Sequence, residues 1–152
     1  MREIKFRGKR YGDGAWVYGS LYQGTKEGEK YCVILNDSGY HLAPPDDRNL
    51  AIAFAENEVN VVIPDTIGQF TGLLDKNGKE IYEGDIVSTS NYGKDIEIGN
   101  QIKNVSGSQL YEVKMLLCNF VLDSKYRSHY LIYYKDYEVI GNIHDNPELL
   151  NE

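Results

Sequence analysis

The run TIGQFTGLLDKNGKEIYEGDIV, residues 66–87, is the densest stretch of turn chemistry in the chain, and its reading decides the fold. Ile67 to Leu74 is apolar and suited to a strand, with Gly68 and Gly72 inside it. A glycine inside a strand pattern marks a bulge, a bend or a close backbone neighbour. In Asp75-Lys76-Asn77-Gly78 each position has a physical duty. The aspartate bonds backbone ahead of it, Lys76 and Asn77 suit right-handed turn angles, and Gly78 takes the positive φ that closes a bulged turn. Lys79 to Tyr82 returns as a second strand. Glu83-Gly84-Asp85 turns again, and Ile86-Val87 begins a third. Bends this close together suit a small, strongly curled sheet.

Working outward, residues 3–7 alternate, with Ile4 and Phe6 on one face and Lys5 and Arg7 on the other. Tyr11-Gly12-Asp13-Gly14 is a turn. Trp16 to Tyr22 is a strand with Trp16, Tyr18 and Tyr22 on one side and Val17 and Leu21 on the opposite one. Residues 23–29 read as a polar loop, Lys30 to Leu35 as a β-branched strand, and residues 43–49, with paired prolines, as a loop. Leu50 to Phe54 fits either a short strand or a helical turn. Val59 to Ile63 is a strand that stops at Pro64, and the boundary between lobes is expected at Pro64-Asp65. Residues 88–109 are rich in Ser, Asn, Gly and Lys. They read as a long polar loop, with Ile96, Ile98 and Ile102 leaving a hairpin arm open. Strands follow at Leu110–Leu117, Cys118–Leu122 and Glu138–Ile143. Asn146 is placed to cap a short helix, with Pro147 at its first position and Glu148 at the positive end of its dipole.

The central run, the closing EVIGNIHDNPELL at 138–150, and the opening MREIKFRGKR followed by WVYGSL together resemble the YopX family of phage and prophage proteins. The likeness covers both ends and the middle of the chain; residues 23–60 and 88–137 carry little of it. It implies a β-rich protein whose C-terminal part is an SH3-like barrel, made in the cytoplasm of a bacterial host, and it implies no known activity.

Composition narrows the function classes. A chain of 152 residues is one domain or two small lobes. Up to residue 65 there are 8 basic and 10 acidic residues, net −2; beyond it 8 and 13, net −5, which together give the chain's −7. Such a balance repels a phosphate backbone at long range and disfavours nucleic acid as a partner. The first ten residues run the other way, with Arg2, Lys5, Arg7, Lys9 and Arg10 against Glu3. Cys32 and Cys118 lie far apart in apolar runs, with neither metal spacing nor a disulfide framework, and read as buried thiols of a reducing compartment. No apolar stretch reaches the ~18 residues of a membrane span. The 13 tyrosines, against 4 phenylalanines, suit half-wet strands and interfaces.

Catalytic constellations are hard to find. His41, His129 and His144 have no partner at metal-ligand spacing, and His144-Asp145 sits at a corner where adjacent side chains diverge. Asp75, Glu83, Asp85 and Asp145 form a conceivable carboxylate cluster for a metal ion, but each also has a turn-forming or capping duty. No nucleophile elbow or phosphate-cradling glycine loop is present.

The fold expected is therefore all-β: an N-terminal β lobe at 1–64 and an SH3-like barrel at 65–152, ending in a short helix. The function expected is a non-catalytic protein-interaction module without cofactor or metal. Its partner is an unidentified protein or a second copy of the chain, the cationic first strand meeting an acidic surface. The alternative is a nucleic-acid-associated protein using the same basic arm. Arg2, Lys5, Arg7, Trp16, Tyr82 and Asp85 are the residues expected to form the interaction surface.

Overall fold

The structure is a computed structural model. It describes residues 3–26, 28–35, 59–89, 96–98, 101–103, 109–116, 119–124, 128–130 and 136–150. Arg2, residues 36–58 with His41, and Cys118 lie outside these, as do the loop at 43–49 and the ambiguous segment 50–54. The described residues are antiparallel strands with short 3-10 turns at Pro64–Thr66 and Pro147–Leu150, so the chain is all-β. It divides into two compact units, Met1–Phe70 and Thr71–Glu152.

In the first unit, β1 (Phe6–Lys9) pairs with β2 (Trp16–Lys26), and β2 pairs with β3 (Glu29–Leu35). Strand β3 in turn pairs with β4 (Val59–Val61). On the other side of β1 lies the start of β5 (Gly68–Leu74), with Arg7 opposite Gly68. The two-residue period sorts this sheet as the alternation predicts. Phe6, Val17 and Leu21 pack with Cys32, Ile34, Val62 and Ile67 on one face. Tyr22, Tyr31 and Leu35 surround the fully buried Val33 on the other.

The loop expected at 23–29 is mostly strand instead. Strand β2 continues to Lys26, whose partner across the hairpin is Glu29. Gly24 explains the difference, because it lies opposite Tyr31 and a Cβ there would meet the tyrosine ring at 2.4 Å. A glycine that a sequence reading assigns to a loop is here the seat of a cross-strand aromatic ring.

In the second unit, the rest of β5 forms the central hairpin with β6 (Glu80–Tyr82). Gly72, at φ 81°, bends β5. The Asp75–Gly78 turn has the predicted bulged form: Gly78, at φ 83°, donates to Asp75 O at 3.0 Å, and Asp75 N donates to Lys79 O at 2.8 Å. A second sheet is built from β7 (Asp85–Thr89), β10 (Gln109–Leu116), β11 (Asn119–Asp123), β12 (Ser128–Tyr130) and β13 (Tyr137–Asn142). Their order across it is β12-β11-β10-β7-β13. Its core is Ile81, Val87, Tyr111, Val113, Leu122, Tyr137 and Val139, with Leu73 and Phe120 against it. Within the stretch read as a long loop, β8 (Ile96–Ile98) and β9 (Gln101–Lys103) pair with each other, which is the hairpin-arm alternative.

Two further expectations about the second unit need correction. The SH3-like barrel does not close among the described residues, since β12 and β13 stand at opposite ends of the second sheet's order. The outer edge of β13 meets a turn rather than a strand: Lys76 N donates to Tyr137 O at 2.8 Å and Val139 N to Asp75 Oδ2 at 3.0 Å. The expected helical cap at Asn146 is also different. Its Oδ1 accepts from Asn142 N at 3.4 Å, behind the 3-10 turn rather than ahead of it, while its backbone O accepts from Leu149 N. Gly141 makes this possible, because a Cβ there would lie 2.6 Å from Asn146 Oδ1. Gly141→Ala should therefore cost about 1–3 kcal/mol in urea unfolding by overpacking. In an Asn146→Ala background the same substitution should cost measurably less, the two residues being coupled.

Candidate interaction surface

The register of β1 against β2 builds a cluster of cations and aromatics. Lys9 stands opposite Trp16 and Arg7 opposite Tyr18. Residues directly across an antiparallel pair share a face, so all four side chains rise from the side of the sheet opposite Phe6 and Val17. The Arg7 guanidinium carbon lies 4.7 Å from the Trp16 ring centroid and Lys9 Nζ lies 5.6 Å from it. A cation over an aromatic face is attracted by the ring quadrupole, by roughly 0.5–2 kcal/mol depending on desolvation. Arg7 is 6% exposed and Trp16 half-buried, whereas Tyr18 remains 44% exposed. Further along β2 the Tyr22 and Tyr31 rings tilt together at 6.2 Å.

Arg10 belongs to the structure of its own turn. Its guanidinium pairs with the Asp13 carboxylate, Nε donating to Oδ1 at 3.0 Å, and Nη1 donates to Asn60 Oδ1 at 3.2 Å. The hydrogen bond from Arg10 and the amide of Ala15 hold the Asp13 carboxyl at about 2. The same pair raises Arg10. One of the five cations counted in the basic arm is thus neutralised locally.

The sequence-predicted residues separate accordingly. Arg7 and Trp16 are brought together. Lys5 is half-buried beside them in the chain, its carbonyl accepting from Phe70 N at 2.8 Å. Tyr82 and Asp85 are in the other unit and, at 2% and 1% exposure, are core rather than surface. Tyr82 OH donates to Glu80 Oε2 at 2.6 Å, and Asp85 Oδ2 accepts from Tyr82 N at 2.8 Å. Their turn is fastened on both sides, Gly84 N donating to Val113 O and Gly84 O accepting from Ile143 N. Turn chemistry on the page of the sequence was compatible with an exposed loop; two backbone bonds to neighbouring segments pull it inside.

The carboxylates weighed as a metal cluster do not converge, and no group of three His, Cys, Asp or Glu suited to a metal ion occurs among the described residues. Glu83 Oε1 accepts from Met115 N, and Asp145 Oδ2 from Asn142 Nδ2 at 2.8 Å. Asp75 is 6% exposed and accepts from Asn77 N at 2.8 Å, Lys79 N at 2.9 Å and Val139 N at 3.0 Å. Burial pushes its carboxyl up, but the amides of Val139, Lys79 and Asn77, helped by the Lys79 charge, outweigh that and leave it below the ordinary value. The first two bonds follow from the turn sequence. The bond to Val139, 64 residues away, has no local signal.

A family model for the YopX protein matches residues 5–151. The chain belongs to the YopX family. Among solved structures, this YopX-family chain is similar to that of protein EF1440 from Enterococcus faecalis, at 25% sequence identity and a TM-score of 0.51, with 99% of each chain covered. No curated protein matches it. No helix among the described residues is long and apolar enough to cross a membrane.

Acid stability should report the Asp75 bonds. Because folding lowers this carboxyl below the roughly 3.9 of an unfolded aspartate, the unfolded chain binds more protons as pH falls. The stabilisation is complete above about pH 4 and is lost as pH drops through the folded value. Asp13 contributes with the same sign. Urea midpoints measured from neutral to acid pH should fall more gently in Asp75→Asn than in the parent. At neutral pH, Asp75→Ala should cost on the order of 3 kcal/mol, since it strands buried amide donors.

Proposed function

We propose that this YopX-family chain is a non-catalytic binding module of a phage or prophage, working in the host cytoplasm through protein contacts, and that self-association is among those contacts. The observation that carries the reading is the Trp16 ring flanked by Arg7 and Lys9, with Tyr18 exposed beside it. Trp, Tyr and Arg are the side chains over-represented at the energetic centres of protein interfaces. Lys5, Arg7 and Lys9 give this patch a sign opposite to that of the whole chain, whose net charge is −7. A second copy therefore offers acidic surface to it, which favours encounter.

The alternative, single-stranded nucleic acid stacked on Trp16 and Tyr18, draws on the same patch. It is weaker because Arg10 is paired with Asp13 and Arg7 is buried against Trp16, leaving fewer cations for phosphates.

Sedimentation equilibrium of the pure protein tests the first reading. A concentration-dependent rise in mass is expected, reduced by Lys5→Glu with Lys9→Glu and by added salt. A monomer at millimolar concentration ends the self-association reading. For the alternative, gel shifts with mixed-sequence single-stranded DNA at low salt should show no complex; a complex weakening steeply with salt would reverse the order of the two readings.

A further inference from the structure

Among the described residues, strand β13 ends its sheet and pairs with β7 on one side. An end strand presents unpaired N–H and C=O groups, a ready template for another chain. Here that outer edge is filled from within. Tyr137 O accepts from Lys76 N at 2.8 Å, and Val139 N donates to Asp75 Oδ2 at 3.0 Å. Beyond the bulge between Val139 and Gly141, Asn142 N donates to Asn146 Oδ1 at 3.4 Å, and Asn142 O accepts from Asn146 N at 2.9 Å. A carboxylate and a carboxamide stand where a neighbouring strand would place its carbonyls. Gly141 supplies the room for the second.

We propose that the outer edge of β13 is a latent strand-pairing surface for a second copy of this chain, kept shut by Asp75 and Asn146. The occupant follows from the groups themselves. Tyr137 O and Val139 N are the acceptor and donor flanking Glu138. Two such edges brought together antiparallel about a two-fold axis at Glu138 satisfy each other, each Val139 N–H donating to the other copy's Tyr137 O. The pairing sets Glu138 opposite itself, and like charges directly across a ladder repel. Glu138, which pairs with Lys76 Nζ in the single chain, is thus a further guard. This edge is separate from the Trp16 patch, and the inference stands whether or not that patch self-associates.

Asp75→Asn tests it. The retained side-chain oxygen still serves Asn77 N and Lys79 N, while an NH2 group now faces the Val139 N–H. Amide exchange at Val139 should accelerate about tenfold or more, and mass should rise with concentration above the parent's in a Lys5→Glu/Lys9→Glu background. Adding Glu138→Gln should strengthen the association. Lys76→Pro combined with Glu138→Gln provides a second opening: proline suits the second position of this turn and removes the N–H bound to Tyr137 O, and the glutamine removes the charge that loses its Lys76 partner. The proposal is overturned if both openings fold, by circular dichroism, yet their mass stays at the parent's value, or if Val139 exchange is unchanged in Asp75→Asn. Should Asp75→Asn fail to fold, Lys76→Pro with Glu138→Gln decides alone. Failure of both to fold would mean the turn is required for folding and is no removable guard, which also overturns it.

Discussion

One buried carboxylate ties the second unit together. Asp75 accepts from two amides of its own turn and from Val139, so a single side chain fixes the hairpin's geometry and anchors it to the last strand. Ionised acceptors make stronger hydrogen bonds than neutral ones, and with several donors a carboxylate tolerates burial that otherwise neutralises it. The following turn has the same logic on a smaller scale. Asp85 holds the Tyr82 amide, and Gly84 is bonded to both Val113 and Ile143. Two aspartates and two glycines at positive φ thus turn a locally encoded double bend into an anchored one.

The first unit is organised differently. Its sheet has one face with an apolar cluster, bordered by Gln23 and Asn60, and one on which cations stand over an aromatic ring. Desolvating a guanidinium costs less against indole than against aliphatic carbon, and this helps Arg7 sit nearly out of solvent. These side chains, cations and aromatics together, are what the proposed binding reading draws on.

Local turn and strand chemistry was legible in the sequence. The bulged turn at Asp75–Gly78 and the split of Val17 and Leu21 from Trp16 and Tyr22 follow from period and residue type. What escaped was the identity of the contacting partner. Gly24 reads as a loop until Tyr31 is known to lie across it. Tyr82 and Asp85 read as exposed until Gly84 is bonded to Val113 and Ile143. Asn146 reads as a cap until Gly141 opens a space behind it. Gly84 finds its partners far along the chain, and even the nearer pairs, Gly24 with Tyr31 and Gly141 with Asn146, depend on a register and a bulge that residue type alone does not specify.

The separation of 64 residues between Asp75 and Val139 has a consequence for synthesis. The hairpin and its turn are complete in sequence long before β13 is translated. Through that interval the nascent chain holds a carboxylate with its last ligand missing and a hydrophobic strand pair lacking its cover. Long-range closure is slow relative to local turns, so the tie between the Asp75 turn and Val139 is among the last contacts open to the growing chain.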